Sequence, residues 1–388
     1  MRRRNQPWVA NAVRLAAGAA LACCLGGGTA QAQKAYVTNS GDGVVTTTTM
    51  SVIDTATDRI VGGPITVGTH PGDVAFTPDG RRAYVANERS DTLSVIDATS
   101  DTVVGPPIAI CDSPWAVAVA PDGKRVYVGC AATVAVLDAQ TNLVLGTEIP
   151  VGSAVFGIAV SPDSKRVYAS GIDEGTVSVI NAETRTVIDT LTVGRGPWGL
   201  ALTPDGKKLY VADRRTGSGA GSAIDTATGT VTGPLITTSN ETGGVAVTPD
   251  GRKAYFTNKS QASVSVLDTG TDAVLATLEV GGEPQGVAIT PDGRKAYVVN
   301  YLGQSVSVID TASDTVAADT IALGFRSLVS GLFIQPKLFA GTPGTKNCAS
   351  QSLSAEARRY GGNSAAAKAL GYGTVAKMQT AIRGYCTT

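Results

Sequence analysis

From residue 34 onward the chain alternates short apolar runs with turn residues at a regular interval. One unit is legible between residues 111 and 150: an apolar run at 115–120, a Pro121-Asp122-Gly123 turn, a returning run at 125–130, an alternating stretch at 134–138, and a fourth run within 141–150. Period-two alternation bounded by Pro, Asp and Gly predicts four antiparallel strands, named A to D here, with glycine accepting positive φ at the tight turn. The tyrosine of strand B recurs as Tyr36, Tyr84, Tyr127, Tyr168, Tyr210, Tyr255 and Tyr297, at intervals of 48, 43, 41, 42, 45 and 42 residues. A repeat of roughly 40 to 50 residues with several short strands predicts a radial array of small sheets.

The two ends of the repeat complement each other. The first unit opens directly on a B strand at residues 34–39, whereas the last unit is followed by a surplus A-like run at 328–334. Pairing the surplus strand with the orphan closes a ring and removes the exposed sheet edges that invite aggregation. A solenoid would instead need capping units and gives no reason for complementary ends. The expected fold is therefore all-β: a seven-bladed β-propeller of four-stranded antiparallel blades over 33–336, closed by the N-terminal strands plus the last C-terminal strand and followed by a small helical tail over 337–388.

Tyr36-Val37-Thr38-Asn39, the run Met50-Ser51-Val52-Ile53-Asp54-Thr55-Ala56-Thr57 and the run from Pro284 to Gly293 recur in register along the chain. In these motifs the sequence resembles the YVTN-type β-propeller repeat proteins. The resemblance implies a propeller and an exported, surface-layer or periplasmic setting. It leaves the activity open, because related propellers serve many functions, nucleic-acid binding among them. The chain departs from the repeat at Gly129-Cys130, Ala169-Ser170 and Ala212-Asp213, and loosens at 214–221.

Four arginines, Arg2, Arg3, Arg4 and Arg14, precede or open an apolar run at 15–25, and Ala30-Gln31-Ala32 supplies small residues for cleavage. This reads as a signal peptide over 1–32 and predicts a periplasmic or extracellular protein with no membrane span in the mature chain. Ala20 stands where a lipid-attachment signal at Cys23 would carry leucine. Removing the leader leaves 28 basic against 32 acidic residues, a formal charge of −4, which argues against binding single-stranded nucleic acid by bulk electrostatics. Basic residues follow the turns and acidic residues end strand C (Asp54, Asp97, Asp138, Asp225, Asp268 and Asp310), so these charges are expected to interleave as a solvated rim.

Hairpin pairing about Asp122-Gly123 brings Cys111 and Cys130 together, and an exported chain permits that disulfide. A second bridge, Cys348–Cys386, would close the tail, where Val375, Met378, Ile382 and Tyr385 recur at helical spacing.

A propeller gathers its D–A and B–C loops on one face. Trp115, Phe156 and Trp198 share one repeat position at the start of strand A and predict an aromatic crescent over the channel, either a ligand anchor or a core plug. Beside them stand His70, Asp112, Arg195, Glu241, Glu283 and Arg326. Glu241 and Glu283 come from neighbouring blades and are the place where calcium or acid/base chemistry would enter; no cofactor is otherwise expected. His70 is the chain's one histidine, which excludes multi-histidine zinc sites, and no Cys-x-x-Cys-His or phosphate-cradling glycine loop occurs. The expected role is that of an exported, monomeric binding or structural module of the cell envelope, engaging a protein, peptide or small ligand through its loop face. The alternatives are a channel-sited metal-assisted hydrolase or lyase, and a nucleic-acid binder.

Overall fold

The computed structural model describes residues 33–40, 48–214, 221–231, 241–324 and 334–336, together with Val375, Ala376, Met378, Gln379 and Ile382. Its A–B hairpins rest on one local device. In Thr203-Pro204-Asp205-Gly206 the Gly206 N–H donates to the Thr203 carbonyl at 2.7 Å, and Gly206 takes a φ of 73°. Asp205 Oδ1 accepts the Thr203 hydroxyl at 2.6 Å and the Lys207 N–H at 3.1 Å. Proline presets the turn, and glycine tolerates a φ that a side chain would strain.

Seven antiparallel sheets result. In blade 2, strand A is Pro71–Phe76, B is Arg82–Asn87 and C is Thr92–Asp97, while the outer D position is split between Thr102–Val103 and Ile108–Ala109, both paired to C. The A strands of blades 3 to 7 are Ala116–Val119, Ile158–Val160, Pro197–Leu202, Thr242–Val247 and Pro284–Ile289. Blade 1 begins with strand B, Lys34–Asn39, as expected. Its inner partner comes from the other end of the chain: Ile334 bridges Ala35, and the Gln335 N–H donates to the Lys34 carbonyl at 2.8 Å. The ring is thus closed, although residues 328–333 of the expected closing strand lie outside the described residues.

The rim does not simply interleave its charges. Asp54 Oδ1 accepts the N–H groups of Ala56 and Thr57, and the corresponding residue of each later blade folds back on its own turn in the same way. A different carboxylate, four residues on and at positive φ, reaches the neighbouring blade. Lys34 Nζ and Tyr36 Oη meet Asp101 at 2.7 and 2.5 Å; Lys208 and Tyr210 meet Asp272 at 2.9 and 2.6 Å; Lys253 and Tyr255 meet Asp314 at 2.6 and 2.7 Å. Lys295 and Tyr297 of blade 7 close on Asp58 of blade 1. Burial first, and the hydrogen bond to the carboxylate second, push these four phenols far above the ordinary tyrosine range. Where the turn offers Asn142, Arg185 or Gly229 instead, the lysine is replaced by Arg82, Arg125 or Arg166, which donates to a backbone carbonyl. Tyr127 Oη is then buried without a partner.

At the end of strand B, Asn87 ties a loop to strand C: Gly68 N–H donates to its Oδ1 at 3.0 Å, while its Nδ2 reaches Thr92 and Ser94. In blade 3 the same two positions are Cys111 and Cys130, joined by the expected disulfide. The repeat departure at Gly129-Cys130 is therefore a covalent version of the hydrogen-bonded socket. In blade 5 the pair is Gly194 and Asp213.

The helical tail needs correction. The described elements are thirty strands and two three-residue 3-10 turns, and among the described residues no α-helix stands beside them. Helical backbone is confined to the five scattered tail positions named above, so helical spacing in the sequence does not translate into a describable element. The proposed Cys348–Cys386 bridge lies outside the described residues.

Candidate functional site

Inner strands of neighbouring blades approach backbone to backbone, and glycine makes this feasible. A Cβ on Gly157 would stand 2.0 Å from the Trp198 carbonyl oxygen, and one on Gly199 2.9 Å from that of Gly243. Just above these contacts, on the loop face, the starts of three A strands project their aromatic rings. Phe156 and Trp198 stack at 4.1 Å with 17° between planes; Trp115 meets them edge-on at 5.2 and 6.0 Å. Sequence reading thus placed the three together correctly. Trp115 and Trp198 are only 6% and 5% exposed, so they plug the channel, and half-buried Phe156 is the more accessible ring.

A cavity of about 560 Å³ opens over this plug, lined by Ala154, Phe156, Ile172, Asp173, Trp198, Arg214, Glu241 and Lys259. Four of these, Ile172, Asp173, Arg214 and Lys259, escaped the sequence reading. Ile172, Arg214 and Lys259 share one repeat position, the fourth residue after the strand-B tyrosine, and that column was the available signal. The Arg214 guanidinium lies 4.0 Å over the Trp198 ring, a cation–π contact. The wall therefore combines an aromatic floor with both signs of charge, a pattern suited to orienting an amphipathic ligand.

The other predicted residues scatter. His70, buried and at a φ of 54°, is held by Glu88, with Nδ1 to Oε2 at 2.5 Å, and its ring lies 6.0 Å from Trp115. Glu283 faces Lys259 at 3.8 Å, and the Glu241 carbonyl accepts the Lys259 N–H at 2.9 Å. Asp112 and Arg195 are exposed and do not line the cavity. Arg326 lies outside the described residues. Among the described residues no group of three or more His, Cys, Asp or Glu side chains is placed to hold a metal. Nor, among them, is any helix long and apolar enough to cross a membrane.

Asp213, below the cavity wall, is the most perturbed carboxyl of the region. It is fully buried, Oδ1 has no partner, and Ser222 Oγ approaches Oδ2 at 3.3 Å. Burial raises its pKa from 3.8 to about 6, against the lesser lowering by Ser222.

Seven small sheets, a ring closed within blade 1 and a charged cavity over an aromatic plug define a seven-bladed β-propeller with a loop-face pocket. The chain belongs to the YNCE-like β-propeller family, whose profile matches residues 7–327. Among solved structures it is similar to a functionally unknown protein from Desulfotomaculum acetoxidans DSM 771, at 20% identity and a TM-score of 0.63, covering 78% of this chain and 98% of that one. It is also similar to Kuenenia stuttgartiensis hydrazine synthase, at 24% identity and 0.59, covering 68% and 87%. A third likeness is to the dihydro-heme d1 dehydrogenase NirN in complex with DHE, at 22% and 0.56, covering 75% and 63%. Likeness at these identities speaks to fold alone. No curated protein matches the chain.

Proposed function

We propose that this propeller is an exported binding module that captures an amphipathic small molecule or peptide segment in its loop-face cavity. The observation that carries the reading is the cavity of about 560 Å³ in which the Phe156–Trp198 stack is flanked by Arg214, Lys259, Asp173 and Glu241. An apolar group would rest on Phe156 while the charged rim orients polar ends; Trp115 and Trp198 hold the floor rigid. Export is supported by the N-terminal pattern of arginines, apolar run and small residues, and by the Cys111–Cys130 bridge, which suits an oxidising compartment.

The chain has three tryptophans, Trp8, Trp115 and Trp198, and cleavage after Ala32 would leave Trp198, which lines the cavity, and Trp115, which packs edge-on against it. Intrinsic fluorescence of protein lacking residues 1–32 therefore reports on the site. Titration with a dipeptide library is expected to yield ligands, pairing an apolar with a charged side chain, that shift the emission saturably; Phe156→Ala or Arg214→Ala is expected to abolish the response. A library without effect, or a response that survives both substitutions, overturns the reading.

A further inference from the structure

Beneath the glycine contacts the channel continues as a second cavity, of about 430 Å³, towards the face carrying the Pro-Asp-Gly turns. Its upper end includes Phe156 and Gly157, at the level where Gly157 abuts the Trp198 carbonyl. Its wall repeats one register position, two residues before the turn proline: Phe76, Val119, Val160, Leu202, Val247 and Ile289. These side chains also touch the inter-blade cores, yet Val119, Val160, Leu202 and Val247 are only partly covered. Asp73 is the one ionisable residue described in the lining, and both its oxygens accept backbone N–H groups, of Val74 at 2.9 Å and Val117 at 3.3 Å. The described side chains of the wall are thus largely aliphatic, with backbone and Thr203 adding polar surface between them.

The mouth differs from the wall. Pro121, Pro162 and Pro204 line it, and each turn runs on into an exposed cation, Lys124, Lys165 or Lys207. The turn carboxylates, also exposed, are in part engaged by their own turns: Asp163 accepts the Ser161 hydroxyl and Lys165 N–H, Asp205 those of Thr203 and Lys207, and Asp122 the Lys124 N–H. The Lys207 side chain stands 84% exposed, with its ammonium 4.0 Å from Asp205. At this turn the lysine, on the longer side chain, is the more exposed member of the pair and offers an ammonium to an anion at the opening.

We propose that this well takes the alkyl chain of an anionic amphiphile, with the headgroup resting among the lysines at the turn face. A methylene occupies about the volume of one water in the liquid, roughly 30 Å³, so a well of about 430 Å³ accepts a chain of about 14 carbons. The site shares only Phe156 with the lining of the loop-face cavity and does not depend on the reading given above.

The test uses displacement of the uncharged probe N-phenyl-1-naphthylamine by alkyl carboxylates from hexanoate to hexadecanoate, below their micelle concentrations. Affinity is expected to rise about fourfold per methylene and to level off near 14 carbons, as the well fills. Leu202→Trp, which fills the wall, is expected to remove binding. A Lys124→Glu/Lys165→Glu/Lys207→Glu variant alters only exposed side chains and keeps the test decisive if Leu202→Trp does not fold. It is expected to weaken dodecanoate at least tenfold and to turn the preference towards dodecyltrimethylammonium. Chain-length-independent binding, no binding, or a charge variant that leaves the dodecanoate preference intact overturns the proposal.

Discussion

Asp213 occupies a socket that four other blades fill with a buried Asn tying strand B to strand C and, in blade 2, to a loop glycine. Replacing it by Asn should therefore stabilise the protein, in a pH-dependent way. The neutral carboxyl is the form the folded chain prefers, because its pKa is raised from 3.8 to about 6. Below about pH 3.8 both folded and unfolded chains carry the proton and nothing is lost. As pH rises from 3.8 towards 6 the unfolded chain ionises first, stability falls, and above 6 the full deficit is present. A rise of this size corresponds to about 3 kcal/mol. For roughly 300 ordered residues that is a shift in melting temperature of about 5 °C. Asp213→Asn removes the deficit and restores an amide able to donate to Ser222. Melting curves of wild type and variant, followed by circular dichroism, are expected to diverge by about 5 °C at pH 7.5 and to converge at pH 4. The difference between the two proteins cancels the opposite, acid-labile trend of the turn aspartates. An equal gain at both pH values, or a loss at pH 7.5, would refute the assignment.

The disulfide and its hydrogen-bonded analogue can be exchanged. Cys111→Ser/Cys130→Ser is expected to cost about 3 kcal/mol by urea denaturation, and Cys111→Gly/Cys130→Asn measurably less, because it rebuilds the Gly68–Asn87 socket. Tyr297→Phe removes the hydroxyl that blade 7 donates to Asp58; a loss of about 1.5–3 kcal/mol is expected, as for a hydrogen bond to a charged group. Conversely, Arg125→Lys/Arg185→Asp would supply Tyr127 with the carboxylate it lacks, and slower amide exchange across blades 3 and 4 would report the new seam. Gly157→Ala is expected to destabilise by several kcal/mol or prevent folding, since its methyl would collide with the Trp198 backbone.

The blade count was legible because tyrosine and the turn recur at fixed offsets, and ring closure because the missing first strand and the surplus last run are complementary. Both are statements about backbone periodicity. The aromatic trio followed from aligning one column of the repeat. The cavity's charged wall did not, because Arg214 and Lys259 belong to the residue just after strand B, a column that no motif advertises. That Lys259 stands 3.8 Å from Glu283 was not legible for a related reason: positions in a column fix the sheet, not the direction of a loop side chain. The departures at Cys130 and Asp213 were visible as irregularities, yet only the Gly68–Asn87 contact shows that they occupy one socket. In the tail, Met378 and Ile382 are buried, yet the helical backbone is described only at scattered positions there, so spacing alone did not yield an element of stated bounds.

Gln33 and Gln335 are stitched into the same blade, Gln33 Nε2 donating to the Gln335 carbonyl at 2.8 Å. In a seven-membered circle that blade faces blades 4 and 5 across the diameter, where Phe156, Trp198 and Arg214 sit. The chain thus enters the ring at residue 33 and leaves it at residue 336 on the side away from the pocket, so the blade that locks the circle and the blades that carry the opening are different ones, and a change to the lock leaves the pocket residues themselves untouched.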